Sequence, residues 1–144
     1  SDGEADMAWT ISDHGFEMVL SSYVPQIIEK SITGALAPVL GTVDGATDDP
    51  SGHVGLWAIH PGGRSILDRV QSTLGLSDEQ LSPSREVLRE FGNMSSGTVL
   101  FILRRLLHGV TGSGGAGDDR VCAMAFGPGL TVESATMTLR PARP

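Results

Sequence analysis

"WAIHPGG", residues 57–63, decides how this chain is read. An apolar run stops on a histidine, and a proline and two glycines follow at once. With the residues before it, "VGLWAI" (54–59) is short and continuously apolar, the pattern of a strand covered on both faces. A buried strand therefore delivers His60 to a tight turn, where glycines leave space for a close approach. An imidazole titrates near neutrality, so it can pair with a thiolate or donate a hydrogen bond as the neutral ring. An accident of packing and the mounting of a catalytic group are both open on position alone.

Working outward, "FEMVLSSYV" (16–24) reads as a strand with Phe16, Met18 and Leu20 on one face, behind an uncommitted lead-in over residues 1–12. Pro25 suits a first helical turn. Ile28, Ile32, Leu36 and Val39 follow at helical spacing, and Gly41 is placed to end that helix. "DGATDDPSGH" (44–53) is an acidic, turn-rich loop. After the histidine, Pro61 opens a helix with an apolar face of Ile66, Leu67, Val70 and Leu74, closed by Gly75. Ser82–Pro83 reads as cap and first-turn proline for "SREVLREF" (84–91). "GNMSS" (92–96) is the next break, ahead of a helix carrying Val99, Leu100, Leu103, Leu106 and Leu107. "TGSGGAGDD" (111–119) reads as a flexible loop, and "RVCAMAF" and "LTVESATMTL" as strands either side of "GPG" (127–129). The order β-α-β-α-α-α-β-β predicts an α/β fold, a mixed sheet with packed helices.

A chain of 144 residues is enough for one domain with a core. Its net charge is −7 and Lys30 is its only lysine, which argues against nucleic acid or an anionic membrane as partner. Cys122 is the single cysteine, so no internal disulfide and no cysteine-based zinc site can form. "SDGEADMAW" is acidic and unlike a secretory signal, and no apolar run approaches the length of a membrane span. A cytoplasmic, reducing setting is the expectation, and the glycosylation match at Asn93–Ser95 carries little weight there.

Several groups could carry chemistry. Gly112, Gly114 and Gly117 fit G-x-G-x-x-G, but the run follows a helix and precedes a strand, the reverse of a dinucleotide fingerprint. His14, His53 and His108 read as structural or solvated, with no pair at metal-ligand spacing. Asn93 serves either as a helix cap or as a carboxamide N–H aimed at a developing oxyanion. Cys122 would complete a Cys–His–Asn set, yet it sits inside a strand pattern with no turn to expose its sulfur, and packing is the favoured reading. Arg64 and Arg85 could meet a phosphate, with surface ion pairing the plainer role. "FGPGLTVE" (126–133) is a tight turn whose glycines could also let backbone line a narrow pocket.

Taken together, "WAIHPGGRSILDRVQ" (57–71), "SREVLREFGNMSSGTVLFIL" (84–103), "AFGPGLTVE" (125–133) and, more loosely, "GFEMVLSSYVP" (15–25) resemble the type III polyketide synthases, the chalcone and stilbene synthase group. The likeness runs over nearly the whole chain. Ketoacyl synthases share the histidine and asparagine positions with different flanking residues. The resemblance implies the C-terminal half of a thiolase-like fold. It also implies an enzyme that loads an acyl starter from coenzyme A onto a cysteine and extends it with malonyl-coenzyme A by decarboxylative Claisen condensation. His60 and Asn93 fall on the catalytic histidine and asparagine. By the same carry-over Gly127, Pro128 and Gly129 shape the active-site wall, Ser95 lies near the reacting centre, and Ser65 lies near the pantetheine. Met18 falls about where the family has a phenylalanine at the pocket entrance, and the residue differs.

The family's nucleophilic cysteine belongs to an N-terminal half that this chain does not contain. The expectation is therefore a domain or remnant of a parent acyltransferase, inactive alone, with no cofactor beyond its coenzyme A thioester substrates. Its partners would be malonyl-coenzyme A, an acyl-coenzyme A starter, the missing half and a second copy in a homodimer. The alternatives are a non-catalytic acyl-binding or assembly module, a relative of ketoacyl synthase III, and a small thioesterase using Cys122.

Overall fold

The computed structural model describes residues 7–13, 15–20, 24–40, 54–113, 119–127 and 131–139. In chain order the elements are β1 (Met7–Ser12), β2 (Gly15–Leu20), α1 (Val24–Leu40), β3 (Leu56–Ile59), α2 (Arg64–Leu74) and α3 (Asp78–Phe91). A 3-10 turn at Ser95–Gly97 follows, then α4 (Thr98–Ser113), β4 (Asp119–Gly127) and β5 (Thr131–Leu139). β1 and β2 form an antiparallel hairpin, with Met7 opposite Leu20. The other sheet runs β3-β4-β5, with β3 parallel and β5 antiparallel to β4. This is the expected mixed sheet. A parallel pair needs a long crossover, and α2, α3 and α4 supply it between β3 and β4.

The sheet alternates its side chains between two cores. Trp57 and Ile59 of β3 and Cys122, Met124 and Phe126 of β4 pack with Ile28, Ile32 and Leu36 of α1 and with Ile66, Leu67, Val70 and Leu74 of α2. Ala58 and Val121 point the other way, to Val87 of α3 and Ile102 and Leu106 of α4. β3 is thus covered on both faces, which is why its sequence lacks any polar alternation. Each fully buried Ile, Leu or Phe of this kind contributes about 1.5–3 kcal/mol.

Four local expectations need correction. Residues 7–12 are a strand, not a lead-in, because β2 offers them a pairing edge. Pro61 does not open α2, which starts at Arg64. The chain spends those residues turning: the His60 N–H still bonds Met124 in the ladder at 2.8 Å, and the Gly62 N–H donates back to the His60 carbonyl at 3.1 Å. α3 begins at Asp78, not after Ser82–Pro83. Ser77 makes the cap, its Oγ accepting from the Gln80 N–H at 3.2 Å while Gln80 Oε1 accepts from the Ser77 N–H at 2.9 Å. Pro83 lies inside the helix, and Ser82 instead donates one turn on to Glu86 at 2.8 Å. On α4, Leu106 is buried as expected, but its buried apolar partner is Ile102, whereas Leu100 and Leu107 face outward. Gly41, His14, His53 and the glycines at 114 and 117 lie outside the described residues.

Candidate active site at the end of strand β3

His60 is the first residue past β3 and is only 8% exposed. Its Nδ1 is buried without a hydrogen-bond partner, and burial pushes its pKa below the ordinary histidine value. The neutral imidazole is therefore the favoured form. A buried polar atom left unpaired costs free energy unless a ligand or partner meets it.

Asn93 arrives from α3. The helix ends at Gly92, whose φ of 72° and ψ of −164° suit glycine alone, and the reversal there throws the next residue back toward the β3 end. Asn93 Nδ2 donates to the Gly62 carbonyl at 3.3 Å, two residues past His60. Asn93 Oδ1 accepts from the Ser95 N–H at 2.9 Å. These two bonds fix which end of the carboxamide is which, and among the described residues the second N–H of Nδ2 has no protein partner. Ser95 holds a positive φ of 58°, the only such non-glycine residue among those described. The Asn93 oxygen holds the strained amide in place, an Asx-type turn. Asn93 thus braces the turn ahead of α4 without being a helix cap, since Met94 holds the N-cap position of the 3-10 turn, and it ties that turn to the histidine loop.

Among the described residues three polar side chains are buried, and all belong to this region: His60, Ser84 and Thr98. Ser84 on α3 takes the Ile59 N–H on its Oγ at 3.1 Å. Thr98, at the start of α4, takes the Met94 N–H on its Oγ1 at 2.8 Å. Neither was a sequence candidate. A serine inside a helix and a threonine at a helix start carry no signal of what they touch across the fold.

The remaining candidates are spread around this centre. Ser65 is exposed on the first turn of α2, beside the equally exposed Arg64. Arg85 is ion-paired to Asp68 at 2.7 Å and also donates to Gln71 at 2.8 Å, the plainer of its two readings. Gly127 ends β4, and a Cβ there would stand 2.7 Å from Thr131 Oγ1, so the strand ends approach too closely for a side chain. Pro128 and Gly129 lie outside the described residues. Met18 is on β2 opposite Trp9 in register, away in sequence and sheet from β3, and its side chain is likewise outside the description. Cys122 is fully buried in β4, and burial pushes its thiol up to about 11, which removes it as a nucleophile near neutral pH.

The family profile for the chalcone and stilbene synthase C-terminal domain matches residues 1–141. Among solved structures the chain is similar to PKS-I from the brown alga Ectocarpus siliculosus, at 35% identity and a TM-score of 0.77 over 93% of this chain and 35% of that one. It is similar to the fungal type III polyketide synthase ORAS, at 32% identity and a TM-score of 0.80 over 96% of this chain and 38% of that one. CsyB complexed with CoA-SH aligns at 26% identity and a TM-score of 0.83 over 94% of this chain and 37% of that one. The chain thus spans little more than a third of the proteins it matches. No helix among the described residues is long and apolar enough to cross a membrane. The fold is thiolase-like, and the chain belongs to the chalcone and stilbene synthase family, as its C-terminal domain.

Proposed function

We propose that this chain supplies the decarboxylation and condensation machinery of a type III polyketide synthase, with the nucleophilic cysteine coming from an N-terminal half. In this reading malonyl-coenzyme A loses carbon dioxide, and the electron pair of the broken C–C bond moves onto the thioester oxygen. His60 and Asn93 donate neutral N–H groups to that oxygen. The resulting enolate carbon attacks the acyl group held on the cysteine, and the cysteine leaves as thiolate. Removing one such donor in comparable sites lowers kcat by a factor on the order of 10² to 10³.

The observation that carries this reading is the bond from Asn93 Nδ2 to the Gly62 carbonyl, which joins the carboxamide to the turn of a buried histidine with an unpaired nitrogen. The buried, high-pKa Cys122 favours an external nucleophile over a thioesterase. The likeness to a structure holding CoA-SH supports coenzyme A thioesters as substrates. A cytoplasmic homodimer completes the proposal.

The test is to co-express the chain with a cysteine-bearing N-terminal half of the family and follow malonyl-coenzyme A consumption. Activity should appear only with both halves, and His60→Ala and Asn93→Ala should each lower it by a factor on the order of 10² or more. Undiminished activity in either substitution refutes the assignment.

A further inference from the structure

We infer that Ser84 and Thr98 are positioning residues that set the mutual geometry of His60 and Asn93, an inference that rests on the roles proposed for those two. Among the described residues the core has almost no polar side chains, yet two fully buried hydroxyls bond the backbone one residue away from the two candidate donors. Each accepts a backbone N–H from the segment that carries a donor. Ser84 Oγ holds the Ile59 N–H, immediately before His60, and Thr98 Oγ1 holds the Met94 N–H, immediately after Asn93.

The two bonds divide the task. The Ile59 N–H points away from β4, which instead takes the His60 N–H at Met124. Without Ser84 the last ladder residue of β3 is anchored from one side only, and the histidine turn can rotate about that edge. Ser84 pins the other side to α3, the same helix that ends in Gly92 and presents Asn93. α3 therefore ties both donors to one rigid body. Thr98 closes the circuit: it pins the Asn93–Ser95 turn, with its left-handed Ser95, to the start of α4. The bond from Asn93 to Gly62 spans the two pinned segments. A displacement of about 1 Å between groups that must meet one oxygen can cost on the order of 10²-fold in rate.

The discriminating experiment pairs hydroxyl-removing with hydroxyl-keeping variants: Ser84→Ala and Thr98→Val against Ser84→Thr and Thr98→Ser. In the two-half enzyme the first pair should lower kcat by at least about tenfold with KM for malonyl-coenzyme A moving less than about twofold, and the second pair should restore most of the rate. On the 144-residue chain alone, NMR should show the His60 ring and Asn93 side-chain amide resonances shifted in the first pair and returned in the second. Unchanged kcat in Ser84→Ala and Thr98→Val, while His60→Ala and Asn93→Ala sharply lower turnover, overturns the positioning role and leaves the proposed function standing. Unmoved His60 and Asn93 resonances overturn it independently of activity. Full turnover in His60→Ala or Asn93→Ala instead refutes the functional reading itself.

Discussion

His60 carries a stability cost that should be readable in solution. Burial lowers its pKa in the folded chain, whereas the unfolded chain has it near 6.5. As pH falls below that value the unfolded state takes up a proton that the native state refuses. Stability is therefore retained above pH 6.5 and lost below it, down to the folded pKa, at no more than about 1.4 kcal/mol per pH unit for one group. Urea unfolding between pH 7.5 and 5 should show this slope, and His60→Gln should flatten it whatever its effect on absolute stability. An equal slope in both proteins removes the claim that the imidazole is held neutral by burial. At this scale the sequence was partly legible. His60 and Asn93 announce themselves because glycine and proline beside them mark turns at element ends. Ser84 and Thr98 do not, because their partners lie 25 residues away in one case and inside an irregular turn in the other.

Among the elements, α3 matters most to the site, since it links Ser84, Gly92 and Asn93. Its N-terminus rests on the reciprocal pair between Ser77 and Gln80, with Asp78 and Glu79 placed favourably in the first turn. Ser77→Ala should cost ~1 kcal/mol of stability by denaturant melting, with little change in the native spectrum. A loss below a few tenths of a kcal/mol would mean that the packing of Leu81 and Val87 holds the helix start without the cap. The same helix shows why boundaries escape a reading of sequence. Two serines compete for its cap, Ser77 and Ser82, and Ser82 stands beside a proline, the stronger local signature. The capping box at Ser77 wins because it satisfies two backbone donors, while Pro83 gives up only one helical bond. The buried strand β3 was plain for the opposite reason: an unbroken apolar run has few other places to go. β1 was missed because a marginal strand acquires its pairing from β2, a partner its own residues do not name.

At the scale of the whole molecule, the second core is unfinished. Phe91 at the end of α3 and Phe101 on α4 meet with ring centroids 5.2 Å apart, yet they remain 50% and 40% exposed. Leu100 and Leu107 are 64% and 48% exposed on the same helix. Val87, Phe91 and Phe101 share a cleft of about 350 Å³ with Arg104, Arg105 and His108. α4 carries apolar residues on more than one face, but among those described this chain fully buries only the stripe of Ile102 and Leu106. Sequence alone cannot reveal which apolar stripe stays open, because both satisfy the same helical period. The matched proteins carry far more chain than this domain, and an apolar face left open in its absence favours self-association. The isolated 144-residue chain should therefore run as a dimer or larger species by light scattering at micromolar concentration. Replacing Phe101→Glu and Leu107→Glu together should shift it toward monomer without loss of helical circular dichroism, because neither side chain is fully buried. Charge bears on the outcome: Arg104 and Arg105 balance Glu86 and Glu90 around the cleft, so salt should strengthen the association through the apolar contacts more than it weakens any charge contact. A clean monomer for the unaltered chain, at low and high salt alike, would show that the open face of α4 is tolerated in water and takes no partner of its own kind.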